Sequence, residues 1–467
     1  MIVMACTATL NQLVDVLDAK AVNLSDAALA QVCRGIQTDT RVLEPKEVFL
    51  ALRGEKFDGH EFVPAAIAKG ALAAIVDGRY QHLCEKPRYA GLREFPLLQV
   101  EDTLKAYQKI ASWWRDRFQI PVIGVTGSVG KTTTKELIAA VLTTQGRVHK
   151  TYANFNNEIG VPKTLLELSP EHDFAVIEMA MRGKGQIAEL TQIARPTIGV
   201  ITNVGTAHIE LLGSEEAIAS AKCELLAQMS EDGVAVLNFD NSLLMETAAK
   251  VWQGKVVSFG FGGGDIQGHL LDSQTLEVAG IKLPLPMPGR HIAANYMAAI
   301  AVAQVLGIDW SFLQSGLKVD MPKGRSQRWE LPNDVIVLDE TYNAAPEAML
   351  AALNLLAETP GKRRIAVLGA MKELGERSEQ LHRQVGETVQ KLNLDALLIL
   401  ADGKDAQLIA ESARGIPSEF FATHADLVAR LKAFIKPGDR ILFKAARSVG
   451  LDRVVQQLHA EASKSWQ

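Results

Sequence analysis

One short segment, residues 120–134, constrains the fold of this chain more than any other feature of its sequence. It reads IPVIGVTGSVGKTTT: an apolar run that ends at Thr126, a glycine-containing turn, and a helix predicted to begin near Lys131. A short, continuous apolar run is typical of a parallel strand that is buried on both faces. Where such a strand turns into a helix, backbone N–H groups converge on one point and can bind an anion. The segment therefore predicts an α/β fold with a phosphate-binding loop.

This loop is a shortened form of the common nucleotide-binding loop G-x-x-x-x-G-K-[ST]. Gly130, Lys131 and Thr132 match the end of that pattern, but Val125 occupies the position of its first glycine. The ammonium group of Lys131 adds a positive charge, and the hydroxyl group of Thr132 can bind Mg²⁺. The strand before the loop and the helix after it argue against a chance match. We predict a nucleotide phosphate site formed by Thr126, Gly127, Ser128, Val129, Gly130, Lys131 and Thr132.

The size and charge of the chain limit its class. With 467 residues it is too long for one ordinary hydrophobic core, so two or three domains are expected. A net charge of −5 gives no general attraction to nucleic acid or to an anionic membrane. No uncharged apolar run approaches the ~20 residues that span a bilayer, and the N-terminus is a poor signal peptide.

The cysteines point to a reducing compartment. Their positions show no metal-ligand or C-x-x-C spacing and need not pair. The four residues are Cys6, Cys33, Cys84 and Cys223. We therefore predict a cytoplasmic protein with no nucleic-acid partner and no membrane span.

The order of apolar runs and helical patterns predicts three domains. Residues 1–101 mix short apolar runs with turn-rich segments and predict a small α/β domain. Residues 102–320 contain the phosphate loop and alternate β-like runs with helical stretches, as in a parallel sheet. Residues 321–467 repeat that alternation and predict a second, Rossmann-like α/β unit. Ligands bind such sheets at the carboxyl ends of the strands.

Several runs predict individual elements. A helical pattern covers residues 103–118, and glycine- and proline-rich segments at 259–268 and 283–291 frame a predicted small β excursion. The clearest strands of the central domain are DFAVIEMA, PTIGVITNV and GVAVLNF. Those of the last domain are VIVLDETYNAAP, RRIAVLGAMKELG, LDALLILADG and DRILFKAARSVG, each of which ends in a polar loop.

Two polar residues close predicted strands of the central domain and are candidates for metal ligands. Glu178 ends the run DFAVIE, and His208 ends the segment ITNVGTAH. Either residue alone could equally be a solvated loop residue, but two of them beside a phosphate loop favour a site. Lys222 lies in the helical segment SEEAIASAKCELL and, taken alone, is typical of an exposed helical lysine.

Several other polar residues are candidate ligand contacts only when they are considered together. His291 and Asn295 are four residues apart near the start of a predicted helix, so they share a face, and asparagine can pair with an adenine edge. Arg325 follows a glycine at the predicted domain junction, where an arginine can reach a phosphate from a second domain. The turns TDTR (38–41) and LRGEKFDGHEF (52–62) can form a ligand site. Each of these residues could also be an ordinary solvent-exposed residue that binds no ligand.

Taken together, the motifs resemble those of the Mur ligase family, which uses this shortened phosphate loop. Matching stretches run through all three predicted domains: DTR, FLALRGEKFDGHEF, NFNNEIGVPKTLL, VIEMAMRGKGQI, TNVGTAHIELLGS, AKCELL, GRHIAAN, DETYNAAPEAM, VLGAMKELGERSEQLH and FKAARSVGL. The stretches TYNAAP and MKELGERSEQLH are typical of the family member that adds D-alanyl-D-alanine.

The resemblance implies an ATP-dependent ligase that joins D-alanyl-D-alanine to UDP-N-acetylmuramoyl-tripeptide through an acyl phosphate. It implies a UDP-binding first domain, an ATP-binding central domain and a third domain that brings the dipeptide. We expect a monomer. The sequence leaves open whether the third residue of the tripeptide is meso-diaminopimelate or lysine.

The resemblance also implies roles for single residues. Thr132, Glu178 and His208 match metal ligands for two Mg²⁺ ions, and Lys222 matches a lysine that is carbamylated to an anion. Asn295 and Arg325 match contacts to adenine and to the γ-phosphate, beside the loop residues that hold ATP. The implied catalytic residues are Lys131, Glu178, His208, Lys222 and Arg325. The implied UDP-substrate contacts are Thr40, Arg41, Gly54, Asp58, Gly59 and His60.

The chain departs from the family pattern at three positions. Asp339 and Glu340 replace a pair of aspartates, so we expect Glu340 to contact ATP with a carboxylate that is one methylene longer. Ala345 stands where asparagine is usual and Ala370 where aspartate is usual. We expect neither alanine to bind a ligand.

Three alternatives compete with this interpretation. The diamino-acid-adding ligase and folylpolyglutamate-type synthetases are disfavoured because no D-N-P-R stretch occurs and the GEKFDGH loop is complete. A motor or switch with a phosphate loop would hydrolyse nucleotide without the two co-substrates. An inactive scaffold is disfavoured because Lys131, Glu178 and Lys222 are all present.

Overall fold

Three large β-sheets organise the structure, a computed structural model that describes residues 6–80, 94–401 and 403–465. Each sheet is mostly parallel, and the predicted α/β fold class is confirmed. Each sheet also lies within one predicted domain, although the boundaries at residues 101/102 and 320/321 stay a prediction. Across the described ranges, no helix is long and apolar enough to cross a membrane. Cys6, Cys33 and Cys223 are buried free thiols, and Cys84 lies outside the described residues.

The first sheet contains five strands. They are β2 (Lys20–Val22), β4 (Ile36–Gln37), β5 (Val48–Leu50), β6 (Ala73–Val76) and β7 (Leu97–Gln99), in the order β2-β7-β6-β5-β4. Two further strands, β1 (Ala8–Thr9) and β3 (Val32–Cys33), pair separately. The helices are Leu10–Leu17, Asp26–Leu29 and Val63–Ala68, with a 3₁₀ turn at Gly59–Phe62. Because β4, β5 and β6 are parallel, the loops that follow them emerge at one edge.

The central sheet contains nine strands. They are β8 (Val122–Thr126), β9 (Val148–Lys150), β10 (Phe174–Glu178), β11 (Ile198–Ile201), β12 (Val234–Asn238), β13 (Lys255–Gly260), β14 (Ile266–Asp272), β15 (Thr275–Val278) and β16 (Ile281–Pro284). Their order is β16-β15-β14-β13-β12-β11-β8-β10-β9, so β8 lies between β10 and β11. Helices and one 3₁₀ turn connect them: Thr103–Arg115, Lys131–Thr143, Gly160–Leu166, Gln186–Ala194, Ile209–Leu212, Glu215–Gln228, Ser242–Val251, Arg290–Val305 and the turn Ser311–Ser315.

Alternate residues of the central strands pack on opposite faces of this sheet. Ile123 of β8 joins one apolar cluster with the helices Lys131–Thr143 and Arg290–Val305. Val122, its neighbour in the strand, joins a second cluster with the helix Thr103–Arg115. Both faces of β8 are therefore covered, which explains why an unbroken apolar run encodes it.

The third sheet contains six strands. They are β17 (Gln327–Leu331), β18 (Val335–Asp339), β19 (Arg363–Leu368), β20 (Ala396–Leu400), β21 (Ser418–Phe421) and β22 (Asp439–Lys444), in the order β17-β18-β22-β19-β20-β21. The pair β17–β18 is antiparallel and the others are parallel. The helices are Pro346–Glu358, Ser378–Lys391, Lys404–Ser412, His424–Phe434 and Leu451–Ser465, with 3₁₀ turns at Gly375–Arg377 and Arg447–Val449.

The predicted strands and the observed ones differ mainly at the edges of the sheets. The apolar runs quoted for the central and third sheets form strands, and β14, β15 and β16 form the predicted β excursion. The helix predicted over 103–118 ends at Arg115. No apolar run predicts β9, β17 or β21, which read VHK, QRWEL and SEFF. All three are edge strands, each paired with one neighbouring strand only. They therefore lack the continuous apolar run that is typical of a central strand buried on both faces.

The packing of the helix Arg290–Val305 yields a test of the central core. We expect Ala301→Leu to lower the free energy of unfolding by about 1–3 kcal/mol, because Ala301 is fully buried and a larger side chain has no room. Gln304→Leu, on the exposed side of the same helix, should change it by less than about 0.5 kcal/mol. Urea unfolding followed by circular dichroism measures both, and equal effects would contradict this packing.

Candidate active site

The phosphate loop joins β8 to the helix Lys131–Thr143, as the sequence predicts. Gly127 and Gly130 have φ angles of +152° and +84°, where residues with a side chain are strained. A Cβ atom on Gly127 would lie 1.9 Å from Thr202 Oγ1, and one on Gly130 would lie 2.7 Å from Asn295 Oδ1. Close packing and backbone conformation therefore both require glycine at these two positions.

A second loop, residues 202–206, holds the phosphate loop in place. Val129 N donates a hydrogen bond to Asn203 Oδ1 at 3.0 Å, and Asn203 Nδ2 donates to Val129 O at 3.0 Å. Ser128 Oγ accepts a hydrogen bond from Gly205 N at 2.9 Å. This loop follows β11, which pairs with β8. The strand order therefore brings the two loops together.

Lys131 directs its charge at the phosphate loop. Its Nζ donates hydrogen bonds to the carbonyl oxygens of Gly127 at 2.6 Å and of Ser128 at 3.1 Å. Burial lowers the pKa of Lys131 to about 8; the carboxylate of Glu178 opposes this shift and the charge of Arg325 adds to it. The ammonium group is therefore mostly charged at pH 7, at the place where phosphates are predicted to bind.

Glu178 ends β10 and contacts the phosphate loop directly. Its Oε1 accepts hydrogen bonds from Thr132 Oγ1 at 3.1 Å and from Asn156 Nδ2 at 2.7 Å, and its Oε2 lies 3.7 Å from Lys135 Nζ. Carboxylate and hydroxyl oxygens are ligands that Mg²⁺ prefers. Among the residues that the structure describes, no three His, Cys, Asp or Glu side chains cluster as a metal site. A metal ion here would therefore take phosphate oxygens and water as its remaining ligands.

Lys222 is not the exposed helical lysine that its segment suggests when read alone. It lies in the helix Glu215–Gln228 and is only 1% exposed. Burial lowers its pKa well below the usual range, and the charge of Lys131 lowers it further, while Cys223 and Glu347 oppose the shift. A lysine in such surroundings loses its proton more easily than a surface lysine, and its neutral form is a nucleophilic amine.

His208 contacts the domain of the third sheet. It stands at φ +67° before the short helix Ile209–Leu212, several residues beyond the end of β11. Its Nδ1 lies 2.5 Å from Glu373 Oε2, in the loop that follows β19. Burial and the charge of Lys131 lower the pKa of His208, while Glu373 opposes the shift. This residue therefore links the two domains, and its role as a metal ligand stays a prediction.

A cleft of about 770 Å³ lies between the central and third sheets. One wall carries the phosphate loop, His208 and Asn295, and the other carries Arg325 and Glu340. Asn295 lies on the helix Arg290–Val305 and is 8% exposed. It is therefore not the water-facing polar residue that the start of a helix often carries. The structure thus brings together the residues that the resemblance assigns to ATP, although each contact with ATP stays a prediction.

Arg325 and Glu340 are held by local contacts on the third-domain wall. The guanidinium carbon of Arg325 lies 3.8 Å from the centre of the Tyr342 ring. Glu340 Oε1 accepts a hydrogen bond from Ser326 N at 3.1 Å, and its Oε2 lies 3.8 Å from Lys444 Nζ. The longer carboxylate of Glu340 therefore supports the turn that carries Arg325.

The two alanines that depart from the family pattern offer no ligand group. Ala345 lines the cleft with a methyl group at the start of the helix Pro346–Glu358. Ala370 is fully buried, and its carbonyl oxygen accepts a hydrogen bond from Ala446 N at 3.0 Å. Neither side chain has a polar atom with which to bind a substrate.

The loops predicted to bind UDP follow β4 and β5 at one edge of the first sheet. In the first loop, Arg41 forms a salt bridge with Asp39 at 2.6 Å, and Thr40 O accepts a hydrogen bond from Lys69 Nζ at 2.7 Å. Gly54 lies in the second loop. Because β4 and β5 are paired and parallel, the two loops are neighbours. Their contact with UDP stays a prediction.

Asp58 and His60 form an internal network in the second of these loops. His60 is 1% exposed; its Nδ1 donates to Asp58 Oδ1 at 2.6 Å, and its Nε2 accepts from Asp77 N at 3.1 Å. A Cβ atom on Gly59 would lie 2.3 Å from Leu52 O. Both ring nitrogens of His60 are therefore occupied, one by Asp58 of the same loop and one by Asp77 after β6, so we interpret His60 as a residue that fixes the shape of the loop.

Several side chains at or near the site were not predicted from the sequence, among them Asn156, Glu347 and Glu373. They lie in the stretches NFNNEIG, DETYNAAPEAM and MKELG, which contributed to the family resemblance. Nothing in those stretches separates these side chains from their polar neighbours. Glu347 Oε1 accepts hydrogen bonds from Thr206 N at 2.6 Å and Thr206 Oγ1 at 2.9 Å, a contact that only the domain arrangement reveals.

A phosphate-loop sheet that faces a second α/β unit across a polar cleft defines a multidomain, nucleotide-dependent enzyme. Three family models match successive parts of the chain. They are described as Mur ligase family, catalytic domain (32–112), Mur ligase middle domain (125–303) and Mur ligase, glutamate ligase domain (324–447). The chain belongs to the Mur ligase family, as the sequence motifs predict.

Individual relatives resemble the chain over nearly its whole length. UDP-N-acetylmuramoyl-tripeptide–D-alanyl-D-alanine ligase of Synechocystis sp. is 58% identical over 440 residues, which cover 94% of each chain. A crystal structure of MurF from Acinetobacter baumannii has a TM-score of 0.85 at 30% identity and covers 98% of this chain and 100% of its own. MurF from Thermotoga maritima in complex with ADP has a TM-score of 0.81 at 31% identity and covers 94% of this chain and 100% of its own.

The geometry of the phosphate loop predicts a strict requirement for Gly130. We expect Gly130→Ala to weaken ADP binding about tenfold or more, because a side chain at φ +84° costs about 1–2 kcal/mol and displaces Asn295. Gly183→Ala is the matched control, since a Cβ atom there meets nothing within 4 Å. Isothermal titration with ADP and Mg²⁺ measures both variants. Equal affinities would show that the loop does not hold the nucleotide.

Proposed function

We propose that the chain is an ATP-dependent ligase of peptidoglycan precursor synthesis. It joins D-alanyl-D-alanine to UDP-N-acetylmuramoyl-tripeptide and produces UDP-N-acetylmuramoyl-pentapeptide, ADP and phosphate. The observation that carries this proposal is the cleft in which the phosphate loop faces Arg325 and the third sheet. The Synechocystis relative, 58% identical over 94% of the chain, is named for these substrates.

The reaction requires activation of a carboxylate, because a carboxylate oxygen is a poor leaving group. An oxygen of the tripeptide carboxylate attacks the γ-phosphorus of ATP, the bond to ADP breaks, and an acyl phosphate forms. The amine of D-alanyl-D-alanine then attacks the acyl carbon, phosphate leaves, and the nitrogen loses its proton. Each step needs the reacting groups to be aligned and water to be excluded, since water would hydrolyse the acyl phosphate.

The cations of the cleft suit the first step. Lys131 belongs to the central wall and Arg325 to the third-domain wall, so a phosphoryl group between them is approached from both sides. Such positioned charges stabilise the negative charge of a transferring phosphoryl group. We propose that Asn295 contacts the adenine of ATP and that Glu340 contacts ATP from the third-domain wall.

The residues of the site fit two Mg²⁺ ions and a carbamylated lysine. Thr132 and Glu178 provide adjacent oxygen donors, and His208 completes the proposed ligand set. When bound, Mg²⁺ stabilises the charge of the phosphoryl group. Lys222 fits carbamylation because burial favours the neutral amine: its Nζ adds to the carbon of CO₂, one proton leaves, and a carbamate anion results.

The remaining assignments concern the substrate and the setting. We assign the UDP group to the edge loops of the first sheet, with Thr40, Arg41, Gly54 and Asp58 as contacts and Gly59 and His60 as supports of loop shape. The use of ATP and a UDP-linked precursor suits a cytoplasmic enzyme. We propose that it acts as a monomer without a nucleic-acid partner.

Phosphate release from purified protein tests the proposed function. With ATP and Mg²⁺ we expect little release until UDP-tripeptide and D-alanyl-D-alanine are both present, because phosphate leaves only after the amine attacks. The same assay with meso-diaminopimelate and lysine tripeptides identifies the third residue. Rapid release without the two co-substrates would instead indicate a nucleotide-driven motor or switch.

A second prediction concerns Lys222. Lys222→Ala should lower turnover by about 100-fold or more, the size typical of removing one contact to a developing charge, and a small carboxylate should restore part of it. The control is Lys250→Ala, an exposed lysine in the helix Ser242–Val251, which should retain wild-type turnover. Near-wild-type turnover of Lys222→Ala would remove the carbamate from the mechanism.

A further inference from the structure

Glu347 extends from the third domain to the central domain. It lies in the first turn of the helix Pro346–Glu358, and its Oε1 accepts hydrogen bonds from Thr206 N at 2.6 Å and Thr206 Oγ1 at 2.9 Å. A Cβ atom on Gly205 would lie 2.5 Å from this same oxygen. The carboxylate therefore packs directly on the backbone of residues 205–206, and a side chain at residue 205 would displace it.

The same two residues hold the phosphate loop. Gly205 N donates a hydrogen bond to Ser128 Oγ at 2.9 Å, and Ser128 Oγ lies 3.3 Å from Gly205 O, to which it can donate in turn. The backbone of Gly205 thus contacts the phosphate loop. The carboxylate of Glu347 lies against Gly205 on the side where a side chain would point. A continuous set of contacts leads from the third domain to Ser128.

Two further contacts between the central and third domains do not reach the phosphate loop in this way. Arg377 Nη1 lies 2.9 Å from Glu215 Oε1, and both side chains are substantially exposed. His208 contacts Glu373, but His208 also belongs to the proposed metal ligands. Among these three contacts, Glu347 is the one that joins the third domain to a residue of the phosphate loop through a single intervening segment.

We propose that Glu347 is a positioning residue for the phosphate loop, and that its contact with Gly205 and Thr206 couples the docking of the third domain to nucleotide binding at Ser128. This inference rests on the proposed function, in which the third domain brings the dipeptide. Because energetic coupling between two ligands is reciprocal, bound nucleotide also tightens binding of the dipeptide.

Nucleotide affinity with and without dipeptide tests the coupling. The full chain is titrated with a non-hydrolysable ATP analogue and Mg²⁺ in saturating UDP-tripeptide, with and without saturating D-alanyl-D-alanine. In the wild type we expect the dipeptide to tighten analogue binding at least about fivefold, the lower end of typical coupling. In Gly205→Ala and Thr206→Val this factor should fall towards one, because the first displaces the carboxylate and the second removes the hydroxyl donor.

Matched variants separate positioning from loss of structure. Thr206→Ser keeps the hydroxyl donor and should keep the wild-type factor, and Gly183→Ala has open space and should do the same. Thr206→Val is nearly isosteric, so it reports on the contact even if Gly205→Ala folds poorly. Thr206→Val with wild-type coupling, Thr206→Ser without coupling, or an active wild-type ligase without coupling would overturn the inference. A wild type that forms no pentapeptide would overturn the proposed function instead.

Discussion

The close packing of the phosphate loop against its neighbours is the constraint on which the rest of the site depends. Gly127 leaves no room for a Cβ atom beside Thr202, and Gly130 leaves little beside Asn295. The loop is therefore fixed by the loop that follows β11 and by the helix Arg290–Val305, which lies much later in the chain. Hydrogen bonds from Val129 N to Asn203 Oδ1 and from Asn203 Nδ2 to Val129 O hold the same loop.

Three lysines in and around the cleft are a second feature of the site: Lys131 and Lys444 line the cleft, and Lys222 is buried outside its lining. The pKa values of Lys131, Lys222 and Lys444 are all lowered, in each case mainly by burial. Cations that are removed from water are stabilised by anions, and phosphate and carboxylate groups supply them. A ligand with several negative charges therefore gains more from this cleft than a neutral one. The proposed carbamate on Lys222 follows the same logic, since it places an anion that can bind metal within range of the charge of Lys131.

The sequence predicts those parts of the molecule in which local pattern and burial agree. The strand β8 is evident because both of its faces are covered and the residues before Thr126 form a continuous run without polar side chains. The loop that follows it is evident because glycine, lysine and threonine have fixed places in phosphate binding.

What the sequence could not predict depends on contacts between distant segments. The helix of Lys222 contains alanine, cysteine and leucine around a lysine, and nothing in that pattern shows that the lysine is buried. Glu347 resembles any glutamate in the first turn of a helix until the domain arrangement places it on Gly205. His60 gains its structural role from Asp77, which lies on another strand end. The family resemblance recovered the region of each of these residues but not its contacts.

The central claim is that this cleft activates a carboxylate as an acyl phosphate, and isotope transfer tests it most directly. The substrate is UDP-tripeptide with ¹⁸O in the carboxylate that receives the dipeptide. The account predicts that the phosphate released with each pentapeptide carries one ¹⁸O atom, because the carboxylate oxygen becomes the bridging oxygen of the acyl phosphate and leaves with the phosphate. Pentapeptide formed together with phosphate that contains no ¹⁸O would contradict it.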